Sequence, residues 1–216
     1  MPKRAPDKPR PRYSALWRGF LSIGAVLALL LPGTAARAHP HVWIDVELEL
    51  RFEGEVLTGM RVVWVFDEYY SAFAVLDFDT NGNKQLDPEE LAVIDNGHEG
   101  LGEYSYFTHM KIGDLLPDKL PVTTVENFKA SMKGDRLIYA FDVPLPADLE
   151  PRKTTFGVGF YDPTYYIDLN LGALSKPRVT ANWPGSCRPT MAEDTQNPIY
   201  FGMVNPLYLQ IGCDVS

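Results

Sequence analysis

Residues 41–52 read HVWIDVELELRF, a stretch in which apolar and polar side chains alternate almost without a break. Apolar residues occupy the even positions from Val42 onward, and charged residues hold the odd positions from Asp45 onward. This period of two predicts a β-strand with one buried face and one solvated face. A turn at Gly54 and a second apolar run over residues 56–66 predict a hairpin.

Further strands are predicted where short apolar or aromatic runs lie between Gly, Pro and Asp turn signals. They cover residues 106–112, 123–132, 136–143, 154–161, 165–169 and 178–183. Many short strands of antiparallel type favour a mainly β (α+β) fold, an immunoglobulin-like β-sandwich. The length after the leader described below fits a single domain over residues 39–216.

Residues from about 67 to 103 break the strand pattern. Aromatic and apolar side chains there recur at helical spacing, and a second helix is expected to begin near Pro88 after a polar loop. We therefore expect an EF-hand-like helix-loop-helix inserted into the sheet domain.

The first 38 residues have the layout of a secretory signal peptide. Basic residues precede an apolar run over residues 20–31, and Ala36-Arg37-Ala38 offers an A-x-A cleavage site. The apolar run is shorter than the roughly 20 residues of a membrane span. Cleavage after Ala38 predicts a periplasmic protein with no stable membrane insertion, and its first residue would be His39. A retained N-terminal anchor is the alternative.

The predicted cleavage changes the charge of the chain. The whole sequence has a formal net charge of −8, whereas the residues after Ala38 include 13 Lys and Arg and 27 Asp and Glu, a balance of −14. Such a surface repels nucleic acid and attracts cations. A nucleic-acid partner is therefore excluded, and metal ions are compatible partners. Solubility of an exported domain is the simpler reading of the same charge.

The chain has two cysteines, Cys187 and Cys213. We expect them to be bonded to each other, because exported proteins meet an oxidising compartment. Their spacing excludes a CxxC redox pair. A disulfide closing a loop of this length stabilises by roughly 3 kcal/mol in the chain-entropy description.

Residues 79–90 read DTNGNKQLDPEE, which matches the spacing of a twelve-residue calcium loop. Calcium takes about six to eight oxygen ligands, and such a loop supplies them at fixed positions with a bidentate Glu last. The ligands would be Asp79, Asn81, Asn83, the carbonyl of Gln85, Asp87 and Glu90. A register beginning at Asp77 fails, since it places Pro88 where the last carboxylate must stand.

The loop departs from the usual pattern at Lys84, where glycine normally makes the turn. A non-glycine residue in the left-handed region costs roughly 1–2 kcal/mol. With two Asn in place of Asp, we expect weak affinity, on the order of 10⁻⁴–10⁻³ M. The alternative needs no metal: Asp87, Pro88 and Glu90 also form the capping box of a helix start.

The mature terminus would read His39-Pro40-His41. His39 would offer its α-amine and its imidazole, and His41 would add a second imidazole from the same face of a strand. Pro40 has no amide hydrogen, so a planar amide-chelate site is excluded. Nitrogen ligands of this kind suit nickel, cobalt, zinc or copper. A frayed polar terminus is the alternative.

Two acidic residues, Glu68 and Asp162, are candidates to complete this transition-metal site. Glu68 follows Asp67 at the start of the first predicted helix, and Asp162 precedes a proline and three further polar or aromatic residues. The competing roles are structural: Asp67 as a helix cap and Asp162 as the first residue of a type I turn. His98 and His109 are isolated in the sequence, which favours surface or strand positions.

Taken together, HPHVWID, WVFDEYYSA, DTNGNKQLDPEEL, YFT and YDPTYY resemble a bacterial family of periplasmic proteins of unknown function. Its members are often labelled the periplasmic component of an uncharacterised ABC-type transport system, and they are encoded beside nickel/cobalt-type transporters. The resemblance covers nearly all of the mature chain and implies a role in transition-metal handling. Lys84 and the two loop Asn residues depart from the fuller EF-hand of other members.

The leading hypothesis is a periplasmic accessory protein that binds a transition metal near its amino terminus and presents it to an inner-membrane metal transporter, with a calcium loop stiffening the fold. The alternative is a calcium-stabilised structural or interaction module of the cell envelope. A copper enzyme of the histidine-brace type is a third possibility, but no further ligand pair or substrate surface supports it. We therefore expect no enzymatic activity.

Overall fold

A computed structural model describes residues 41–173, 176, 178–179 and 187–213, without the side chains of residues 178, 179 and 213. All of these residues fall within one compact unit, His39–Ser216. The predicted signal peptide and His39 lie outside the described residues.

The chain is mainly β, as predicted, with few helices. The strands are β1 Val42–Glu53, β2 Val56–Phe66, β3 Thr108–Ile112, β4 Glu126–Lys133, β5 Arg136–Pro144, β6 Phe156–Phe160, β7 Ile167–Leu171, β8 Arg178–Val179, β9 Cys187–Glu193 and β10 Leu207–Cys213. The helices are α1 Glu68–Phe78 and α2 Pro88–Gly97, followed by 3₁₀ segments His98–Phe107 and Pro117–Lys119. In the parts of the chain described here, no helix is long and apolar enough to cross a membrane.

The strands form two sheets. The larger has the order β4-β5-β2-β1-β7, with β8 also paired to β1, and the smaller has the order β3-β6-β10-β9. β1 pairs with β7 and β8 in parallel, whereas the other described ladders are antiparallel. The parallel pairs differ from the antiparallel expectation. Strand direction depends on how distant segments return to the sheet, which local alternation does not encode.

The core begins with β1, whose alternating pattern is confirmed. All its even residues from Val42 to Phe52 are buried, and the odd residues face outward or are half-buried. On the same face, the Trp64 ring meets the Phe141 ring edge to face at 5.1 Å between centroids. The smaller sheet contributes buried residues such as Val158 and Leu209. Each fully buried apolar side chain of this kind stabilises by roughly 1.5–3 kcal/mol.

The last two strands, β9 and β10, were not expected from the sequence. β9 is an edge strand with mainly exposed side chains from Arg188 to Thr190, and Pro189 lies within it. Proline is tolerated at a sheet edge because its missing N–H faces away from a ladder. Such a strand has neither an apolar run nor a regular alternation, so its sequence gives no strand signal.

β9 and β10 place the two cysteines opposite each other. Cys213 is the Cα partner of Cys187 at the end of the antiparallel ladder, and Cys187 is buried. Directly opposed residues in such a ladder have Cα atoms about 4.5–5.5 Å apart, which lies within the range that a disulfide can span. The register is compatible with a Cys187–Cys213 bond, which stays a prediction.

We predict that non-reducing peptide mapping of the exported protein recovers the peptides of Cys187 and Cys213 linked. A double Cys187→Ser and Cys213→Ser variant is expected to lose roughly 3 kcal/mol of unfolding free energy, because the unfolded chain regains loop entropy. Reduced wild-type protein is the control and should show the same loss. Free thiols in the oxidised protein would contradict the prediction.

Candidate functional site

Two residues of the loop between α1 and α2 adopt left-handed backbone conformations. Lys84 lies in the left-handed region at φ 66°, and Gly82 at φ 77°. Lys84 therefore adopts the conformation usually reserved for glycine at this point of a calcium loop. The roughly 1–2 kcal/mol cost of this conformation is offset by the contacts of the rest of the loop.

The first predicted ligands are oriented by hydrogen bonds from the loop backbone. The carboxylate of Asp79 accepts from the N–H groups of Gly82 and Lys84, both at 2.7 Å. Asn81 Oδ1 accepts from the Asn83 N–H at 2.9 Å, and Asn83 Oδ1 accepts from the Gln85 N–H at 2.9 Å. Each of these side-chain oxygens bonds a backbone N–H a few residues later, which turns the chain as Asx turns do.

Three predicted ligands converge on one oxygen. Asp87 Oδ2 accepts from Asn81 Nδ2 at 2.8 Å and from Asn83 Nδ2 at 2.9 Å. The side chains of positions 3, 5 and 9 therefore already meet, although they are separated along the chain. Amide groups that reach the same carboxylate can turn their oxygens toward a cation placed among them.

Glu90 ties the two ends of the loop together. It is buried, and its Oε1 accepts from the N–H and hydroxyl of Thr80 at 2.7 and 2.9 Å. Its Oε2 accepts from the Asp87 N–H at 2.9 Å, the bond expected of a capping box. These donors, the Asp87 N–H first, hold the pKa of Glu90 below its ordinary value. One carboxylate thus serves both the helix start and the end of the loop.

Within the residues described, no three His, Cys, Asp or Glu side chains form a metal-binding group. The loop instead combines the carboxylates of Asp79, Asp87 and Glu90 with amide oxygens. Such a mixed oxygen set suits a hard cation, and it binds more weakly than a set with more carboxylates. Gln85 is exposed and contributes its N–H to Asn83, and its predicted role through the carbonyl remains a prediction.

At the start of β1, His41 is exposed. Its N–H donates to the carbonyl of Tyr166 at 2.8 Å, and the two ring centroids lie 4.9 Å apart. Glu68 is exposed in the first turn of α1. The predicted transition-metal site remains a prediction, because His39 lies outside the described residues.

Asp162 is buried and holds a turn. Its oxygens accept from the N–H groups of Thr164, Tyr166 and Ile167 at 2.8–3.1 Å, and from the Thr164 hydroxyl. The predicted turn role is therefore observed. Asp162 reaches His41 through Tyr166, and its hydrogen bonds leave the carboxylate committed to the turn, so we assign it a positioning role.

Asp67, the N-cap of α1, hydrogen-bonds the start of β1. Its Oδ1 accepts from the N–H groups of Tyr69 and Tyr70, which caps α1, and its Oδ2 accepts from the Trp43 N–H at 2.9 Å. The Asp67 N–H in turn donates to the Trp43 carbonyl at 2.9 Å. The cap was foreseen, but the link to β1 was not, because 24 residues separate the two positions.

The remaining histidines are packed against aromatic rings. His98 stacks on Phe128 with centroids 4.2 Å apart, and His109 stacks on Tyr161 at 3.6 Å. One nitrogen of each ring bonds a backbone carbonyl. Burial lowers the pKa of His109. His109 lies in β3, a strand position as expected, and His98 is half-buried at the start of the 3₁₀ segment.

Comparison with known proteins identifies relatives of this chain. A family model described as a protein of unknown function, DUF1007, matches residues 24–208. The chain belongs to the DUF1007 family. The chain is also 29% identical over 164 residues to an uncharacterised protein of Haemophilus influenzae, covering 76% of this chain and 72% of that one. It is 34% identical over 137 residues to an uncharacterised 15.5 kDa protein in the trpE 3′ region of Spirochaeta aurantia, covering 62% of this chain and 94% of that one.

We predict that Asp67→Ala lowers the unfolding free energy by about 2 kcal/mol, because it removes the α1 cap and leaves the Trp43 N–H without its acceptor. Urea denaturation measures the change. Glu68→Ala is the matched control: it removes the neighbouring, exposed carboxylate and should change stability by less than about 0.5 kcal/mol. Equal effects of the two substitutions would show that Asp67 does not anchor the strand.

Proposed function

We propose that this DUF1007 protein is a periplasmic ion-binding protein that carries one calcium ion in the loop over residues 79–90. The observation that supports this most directly is the meeting of Asn81 and Asn83 with the Asp87 carboxylate, 2.8–2.9 Å from either amide. A cation bound among these groups would replace the amide–carboxylate hydrogen bonds. The side-chain oxygens of Asn81, Asn83 and Asp87 would then coordinate it. The role is binding and not catalysis.

The charge and conformation of the loop argue for weak affinity. Only three of the candidate ligands, Asp79, Asp87 and Glu90, carry a carboxylate, and Lys84 holds a left-handed conformation. Calcium-binding modules outside the cell work in the range of about 10⁻⁴–10⁻³ M, where the ion is abundant. Binding would therefore stiffen the α1–loop–α2 segment without acting as a sensitive switch.

We predict that millimolar calcium raises the melting temperature of the wild-type protein and that Glu90→Gln abolishes this rise. Glu90 would be the bidentate ligand, and the substitution removes its charge with little change in shape. The quantity to compare is the difference between calcium and chelator for each variant, because Glu90→Gln also weakens the hydrogen bonds to Thr80 and Asp87.

Glu89→Gln is the matched control for this experiment. Glu89 is the exposed neighbour of Glu90, so the substitution changes the net charge equally and leaves the loop ligands intact. Its calcium-dependent rise should equal that of the wild type. If the wild type shows no rise in millimolar calcium, residues 87–90 serve only as a capping box and the calcium proposal fails.

A second candidate function is the capture of nickel, cobalt, zinc or copper at the amino terminus for an inner-membrane transporter. Its support is the position of His41, which is exposed directly before β1. The backbone N–H of His41 donates to the carbonyl of Tyr166. A residue two positions earlier would share that strand face. In this proposal His39 supplies the amine and one imidazole, and Glu68 is the exposed acidic residue available to join them. Asp162 positions Tyr166 beside His41.

We predict that calorimetry with these four metals shows the tightest binding for protein that begins at His39. One residue added before His39 should weaken binding, because the α-amine moves away while both imidazoles stay. His41→Ala should also weaken it. Equal affinities for the three forms would remove the transition-metal site and leave a calcium-stabilised structural module of the envelope as the function.

A further inference from the structure

An aromatic cavity of about 410 Å³ lies where α1 and α2 cover the end of the larger sheet. Its walls come from both helices, the 3₁₀ segment after α2, and strands of the sheet. Seven rings line it: Phe66, Tyr70, Phe78, His98, Phe128, Tyr139 and Tyr166. The volume falls within the roughly 300–1,000 Å³ typical of small-molecule sites.

The rings hold each other in place. Phe66 stacks on Tyr70 with centroids 4.7 Å apart and meets Tyr139 edge to face at 4.7 Å. Phe128 lies 5.1 Å from Tyr139 and stacks on His98 at 4.2 Å. Mutual packing of this kind fixes side-chain rotamers, so the wall is formed before any ligand arrives.

Three phenol hydroxyls belong to this wall, those of Tyr70, Tyr139 and Tyr166. Within the described part of the chain, none of them hydrogen-bonds a protein group. The Trp64 indole nitrogen is fully buried without a partner among the described residues, whereas these hydroxyls are not fully buried. Tyr70 and Tyr139 are half-buried and Tyr166 is 55% exposed, so their hydroxyls are open to solvent or to a ligand in the cavity.

In the part of the chain that the structure describes, no Lys, Arg, Asp or Glu lines the cavity, but three acidic residues, Asp67, Asp77 and Asp95, lie close enough to act on its tyrosines. Burial first, and then Asp77 and Asp67, raise the pKa of Tyr70, and burial together with Asp95 raises that of Tyr139. Asp95 is paired with Lys129, but Asp67 and Asp77 have no described cation partner. An anionic ligand is disfavoured here, and a positive one is favoured.

We propose that this cavity binds a small quaternary ammonium compound. The negative faces of aromatic rings attract a weakly hydrated cation, and quaternary ammonium groups are the ligands that such cages recognise. Acidic residues around the rings add to this attraction, and the apolar wall accommodates the methyl groups. No residue of the loop over residues 79–90, all of which the structure describes, lines the cavity, whereas Tyr166 at its edge lies beside His41.

The test compares two probes of the same shape, choline and 3,3-dimethyl-1-butanol, by calorimetry on the mature protein. The proposal expects choline to bind at least about tenfold more tightly, since only choline carries the charge. Tyr70→Leu should weaken choline binding by about tenfold. Tyr69→Leu is the matched control on the adjacent, largely exposed residue outside the cavity, and it should leave the affinity unchanged.

A second variant distinguishes a loss of choline binding from a loss of folding. Tyr166 is 55% exposed at the edge of the cavity, so Tyr166→Leu should keep the wild-type melting temperature while weakening choline binding. Equal affinity for the two probes, absence of choline binding, or equal effects of Tyr69→Leu and Tyr70→Leu would each overturn the proposal. Repeating the titration with chelator present separates this result from that of the calcium experiment.

Discussion

The burial of one face of β1 is the constraint on which the rest of the structure depends. The inward residues from Val42 to Phe52 join the core, and the strand pairs with β2, β7 and β8. A slip of one residue would turn every apolar side chain to solvent, so the register is strongly specified. Because β1 lies inside the sheet, its start also fixes where His41 and the neighbouring turn can lie.

Buried or partly buried carboxylates organise each of the proposed sites in the same physical way. Asp67, Asp162 and Glu90 each accept several backbone N–H groups from segments that would otherwise end without partners. A carboxylate can accept several hydrogen bonds, and bonds to a charged acceptor are stronger than neutral ones. Acidic residues in this chain thus shape local backbone as well as supplying negative charge.

The calcium loop and the aromatic cavity share the helices that build them. The loop joins α1 to α2, and Tyr70, Phe78 and Ile94 of these helices line the cavity. An ion that stiffens the loop would therefore also fix the angle between two cavity walls.

The sequence by itself determined the inward face of β1, the hairpin with β2, the two helices and the backbone of the loop around Lys84. These features follow from side-chain period and turn chemistry, which act over a few residues. Only the tertiary structure decided the parallel pairing of β1 with β7, the link from Asp67 to Trp43, the edge strand β9 and the cavity beside Tyr70. Each of these joins segments far apart in the chain, and such contacts depend on the relative placement of whole elements, which no local pattern encodes.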